Sequence, residues 1–74
     1  MSTYAEKELH RLIETLNSDL DTGERLITLK RIIGAAEEVI GSEVAAARVD
    51  GWSWGQLAPA LGTSRQGAQQ RYGN

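Results

Sequence analysis

The apolar residues in the first two thirds of this chain recur at intervals of three and four, and no run alternates long enough to make a strand. Leu9, Leu12, Ile13, Leu16 and Leu20 stand at i, i+3, i+4, i+7 and i+11. After a short polar interval, Leu26, Leu29, Ile33, Ala36 and Ile40 repeat a strict three-four spacing. With about 3.6 residues per turn, such spacing lines one side of a helix, whereas a half-buried strand needs alternation. The pattern predicts an all-α fold.

The breaks between these series set the helix boundaries. A first helix is expected from about Tyr4 to Asn17, where Asn17-Ser18-Asp19 supplies turn-forming residues. Asp21-Thr22-Gly23-Glu24 has the form of a capping box, with Asp21 accepting from orphan amides and Glu24 reaching back. A long second helix follows from about Thr22 to Val49, with a bend possible near Gly41. Gly34 and Gly41 either permit close helix contact or, at Gly41-Ser42, divide the stretch in two. Asp50-Gly51 closes it, Gly51 being suited to a left-handed cap. The short connection makes the two helices an antiparallel hairpin. The seam Leu26, Leu29, Ile33, Ala36 and Ile40, widened by Ile32 and Val39, is broad enough for one intramolecular and one intermolecular neighbour. A homodimer held by the hairpin is therefore expected.

Length and composition exclude most other classes. Seventy-four residues are read as a single domain, 1–50 being the hairpin and 51–74 a separate motif, and a core this modest is commonly reinforced by oligomerisation. With no Cys, there is no disulfide framework, thiolate zinc site or cysteine nucleophile, and His10 has no second His to pair with. No nucleophile-base pair or phosphate loop is apparent, so neither an enzyme nor a cofactor is expected. No apolar run approaches a membrane span, and MSTYAEKELHRL is too polar for a secretory signal, so the expected compartment is the cytoplasm. The formal net charge of −2 disguises an asymmetry. Residues 1–50 hold all ten acids and sum to −4, whereas residues 51–74 hold Arg65 and Arg71 and no acid. Such asymmetry is a hint of nucleic-acid contact.

The specific signal lies between Gly51 and Tyr72. Ser53-Trp54-Gly55-Gln56 is a second capping box, opening a short helix whose inner face is Leu57, Ala58 and Leu61. Gly62 breaks it, and Thr63 or Ser64 caps another helix from about Arg65 to Tyr72. Two short helices about a tight glycine turn make a helix-turn-helix. Ala58 must be small where the second helix crosses, and Gly62 supplies positive φ. Ala68 and Tyr72 would face inward, leaving Arg65, Gln66, Gln69 and Gln70 outward. Arginine can donate twice to guanine and glutamine can pair with adenine, so these four suit base edges in double-stranded DNA. Ser53, Thr63 and Ser64 suit phosphates, and so does Arg71.

The run GWSWGQLAPALGTSRQGAQQRYG, with Ala45–Gly51 before it, resembles the small helix-turn-helix proteins of actinobacteria and their phages, whose pattern reads roughly G-x-S-W-x-x-I-A-x-A-L-G-V-S-R-Q-A-A-x-x-R-Y/F. The match covers about a third of the chain. The resemblance implies sequence-specific DNA binding by a transcriptional regulator, with Ser64-Arg65-Gln66 opening the recognition helix. Three positions depart from the pattern. Pro59 sits inside the first helix of the motif, where loss of one hydrogen bond to Gly55 should shorten or tighten the turn. Gly67 replaces alanine and should loosen the recognition helix, and Thr63 replaces valine beside the turn.

Other residues have structural readings. Trp54 is expected in the core, Trp52 as a staple on Leu57 and Tyr72 as a closing core residue, while His10 and the Glu37, Glu38 and Glu43 carboxylates are expected on solvated faces. The competing function is a helical protein-interaction module, such as an antitoxin, adaptor or anti-sigma-like protein, using the hairpin seam to hold a protein partner.

Overall fold

A computed structural model describes residues 4–73 and is built of helices: α1 (Tyr4–Leu16), α2 (Thr22–Val49), α3 (Trp54–Leu61) and α4 (Arg65–Tyr72). The all-α expectation holds, with a short first helix followed by a long second one. The chain forms two compact units, Met1–Ile40 and Gly41–Asn74, so the division falls inside α2. Among the described residues, no helix is long and apolar enough to cross a membrane.

In the first unit, local hydrogen bonds fix both ends of the hairpin turn. The Asn17 amide donates back to Ile13 and Glu14, and the Ser18 amide donates to Thr15, closing α1. At the start of α2 the Glu24 amide donates to Asp21 Oδ1 at 2.8 Å, and Glu24 Oε1 accepts from the Asp21 amide at 3.2 Å. This is the reciprocal box expected from the sequence. Arg25 Nη1 then donates to the Leu16 carbonyl at 3.1 Å, tying the first turn of α2 to the last residue of α1. An open groove between the helices is lined by Ala5, Glu8 and Leu12 on one side and Gly34, Ala35 and Glu38 on the other. On the surface of α1, Arg11 pairs with Glu8, whose hydrogen bond and charge raise the guanidinium pKa.

The face of α2 that α1 covers is not the three-four seam. Thr28 and Ala35 are buried and Ile32 and Val39 partly so, opposite buried Leu12. Of the seam residues, Leu26, Leu29 and Ile33 stay exposed, whereas Ala36 and Ile40 are partly buried. A polar residue holds the inner face because the Thr28 hydroxyl donates to the Glu24 carbonyl at 2.9 Å, which satisfies it locally. Gly34 and Gly41 do not interrupt α2, and a Cβ at either would meet nothing within 4 Å. Neither glycine is therefore needed for a close approach within its own unit.

In the second unit, two turns of one design arrange three helical segments. Gly51 takes φ 95°, its amide donates to Arg48 and the Trp52 amide donates to Ala47, a Schellman closure of α2. Gly62 repeats it at φ 70°: its amide donates to Pro59 and that of Thr63 donates to Ala58. Both glycines occupy the left-handed region, where a Cβ is costly. Val44, Leu57, Ala58 and Ala68 form the buried core, Ala68 being wholly covered. Leu61, Trp54 and Tyr72 close its edge. Pro59 does not end α3, which continues as α-helix to Leu61. The proline is exposed, so the absent amide costs one bond and little packing.

Candidate nucleic-acid interface

Capping side chains build the α3–turn–α4 motif. Ser53 Oγ accepts from the Gln56 amide at 3.1 Å while Gln56 Oε1 accepts from the Ser53 amide at 2.8 Å. Ser64, rather than Thr63, caps α4, its Oγ accepting from the Gly67 amide at 3.0 Å. Thr63 turns toward α4 instead, since a Cβ on Gly67 would stand 2.5 Å from Thr63 Oγ1. Two of the three departures from the resembled pattern, Thr63 and Gly67, thus occupy one space: the glycine leaves room that the threonine hydroxyl uses.

Ala68 anchors α4, and its position decides what the helix presents. At about 100° per residue, Gln66 and Gln70 lie opposite Ala68 and Gln69 lies beside them. Arg65 and Arg71 fall on the two flanks of this glutamine face. All five are exposed, as are Ser53, Thr63 and Ser64. The eight residues singled out from sequence therefore sit on or beside the motif, with Ser53 at one helix N-terminus and Thr63 and Ser64 at the other. The Arg71 guanidinium lies 5.8 Å from the centroid of the Tyr72 ring, which carries the charge along the flank. No acid occurs in the sequence from Gly51 onward.

Arg48 is a member of this unit that sequence reasoning passed over. Its guanidinium carbon lies 4.7 Å from the centroid of the Trp54 ring, and its Nη1 donates to the Trp52 carbonyl at 2.7 Å. One side chain thereby covers a partly buried tryptophan and fastens the turn between α2 and α3. The signal available was a basic residue in the last turn of a helix, where cations are favoured near free carbonyls. Trp52 itself is about half exposed.

The described residues include no group of three His, Cys, Asp or Glu side chains placed to hold a metal ion. No protein-family model, curated protein or solved structure matches this chain.

Proposed function

We propose that the chain binds double-stranded DNA sequence-specifically through α3 and α4, as a bacterial or phage transcriptional regulator acting as a dimer. One observation carries the reading: α4 is anchored by a completely buried Ala68 and exposes Arg65, Gln66, Gln69 and Gln70 on a helix that carries no acid. Rigid support beneath, with bidentate donors and acceptors above, is what reading base edges in a major groove requires. The N-termini of α3 and α4, with Ser53, Thr63 and Ser64 around them, suit phosphates, as does Arg71 in the last turn of α4. The resemblance of Gly51–Gly73 to small helix-turn-helix regulators points the same way. A single motif makes few contacts, and a two-fold pair engaging half-sites about 34 Å apart, or a multiple of that, doubles them.

A second reading, a protein-interaction module without DNA readout, draws on the exposed Leu26, Leu29 and Ile33. Selection of bound sequences from random duplex DNA separates the two. The DNA reading expects enrichment of one symmetric motif. Recovery of unenriched sequence, with no retention on DNA at low salt, supports the interaction module instead.

A further inference from the structure

The first unit leaves a coherent apolar face uncovered. Leu26, Leu29 and Ile33 are 58, 39 and 55% exposed, and at about 100° per residue they fall within about 60° of one another around α2. The face that α1 covers, Thr28, Ile32, Ala35 and Val39, is centred roughly 120° away. Ile13, 44% exposed, follows buried Leu12 by one residue. Because α1 runs back along α2, that step turns Ile13 toward the side where Leu29 and Ile33 lie. Ile27 is also exposed but faces the other side, outside this stripe. The chain has no cysteine with which to reinforce so small a core. Association is the remedy such domains commonly use.

The flanking charges identify the occupant. With Leu26 and Ile33 as a positions and Leu29 and Ala36 as d positions, Arg25 is a g residue, and Lys30 and Glu37 are e residues. A parallel pair of α2 helices sets g against the other chain's e, bringing Arg25 to Lys30 twice. An antiparallel pair sets e against e. With its two-fold axis beside Ile33, Lys30 of each copy meets Glu37 of the other, and a carboxylate can accept from more than one donor. Like charges penalise the first arrangement and opposite charges favour the second.

We propose that this face binds the same face of a second copy of the chain, α2 antiparallel to α2 about a two-fold axis beside Ile33, so that two hairpins form a four-helix bundle. The proposal rests on the dimer reading above and adds its surface, orientation and register. It is independent of whether α4 reads DNA.

The absence of native cysteine allows a direct test with single-cysteine variants of the full chain, oxidised under mild conditions. Ile33→Cys should yield covalent dimer, because the two copies meet at the axis. Leu26→Cys alone should not, since its two Cα atoms would be about 21 Å apart at 1.5 Å rise per residue, beyond the about 7 Å a disulfide can span. Mixing Leu26→Cys with Ile40→Cys should restore cross-linking. Circular dichroism verifies that each variant remains helical. Efficient self-cross-linking of Leu26→Cys would overturn the antiparallel arrangement while leaving a dimer. A monomeric mass for the parent chain at tens of micromolar would overturn the dimer as well, assigning the face to another protein. A monomer would remove the symmetry expected of the selected motif but not its enrichment, so failure of the dimer and failure of DNA reading are distinguishable.

Discussion

Gly67 owes its place to a residue four positions earlier. In an open helix interior, replacing glycine by alanine gains up to about 1 kcal/mol. Here the new Cβ would stand 2.5 Å from Thr63 Oγ1 and 3.1 Å from Ser64 Oγ. Gly67→Ala should therefore destabilise the protein by about 1 kcal/mol, while the same change made together with Thr63→Ala should stabilise it relative to Thr63→Ala alone. Urea unfolding of the four proteins gives the coupling, expected between about 0.5 and 3 kcal/mol for residues sharing one space. Additive effects would show that the threonine and the glycine are independent. Trp54 and Arg48 make a second local pair. Trp54→Ala should cost about 3 kcal/mol, near the lower end for a tryptophan because the ring is only partly buried. Arg48→Ala should cost about 1 kcal/mol through loss of the ring contact and of the bond to the Trp52 carbonyl. Equal stability of Trp54→Ala and the parent in thermal melts would contradict the role given to this ring.

At the scale of elements, the boundaries were legible because local chemistry sets them. Asp21 with Glu24, Ser53 with Gln56, Gly51 and Gly62 all act within five residues of chain, and each does in the structure what its type and spacing imply. The outward face of α4 was legible for a related reason: Ala68 is the small apolar residue that can sit against α3, and the polar residues fall around it. The choice of inner face on α2 was not legible. Two apolar stripes run along that helix about a third of a turn apart, and periodicity alone ranks the purer one first. The stripe containing Thr28 faces α1 because the threonine hydroxyl is satisfied by the Glu24 carbonyl, a bond that a hydropathy pattern does not register. Pro59 leaves α3 running to Leu61, since an exposed ring near a helix end disturbs little. The turn glycine offers a test at this scale. Gly62→Ala places a Cβ at φ 70°, which should cost about 1–2 kcal/mol and lower the melting temperature without altering helix content below the transition. An unchanged melting temperature would mean that this turn relaxes out of the left-handed region.

At the scale of the whole molecule, the proposed function draws on α4, which carries no acid, and on a hairpin whose uncovered face suits a second copy. Mass action gives one consequence: the apparent melting temperature should rise with protein concentration for the parent chain. It should be independent of concentration for Leu29→Glu, which sets a charge in the middle of the exposed stripe. A concentration-independent transition in both would leave the hairpin without a partner of its own kind. Whether α4 reads sequence, as proposed, is decided by comparing Arg65→Ala and Arg71→Ala on cognate and scrambled duplexes at two salt concentrations. Arg65 stands at the opening of the helix, where a bidentate base contact is worth about 1–3 kcal/mol of discrimination. Arg71, on the opposite flank, suits a phosphate, whose loss weakens all sequences alike and lowers the salt slope by about one. Arg65→Ala should lose about 1–3 kcal/mol of its preference for cognate over scrambled duplex, while Arg71→Ala retains the preference at reduced affinity. An Arg65→Ala variant that keeps the parent's cognate-to-scrambled ratio would contradict the assignment of α4 as the reader.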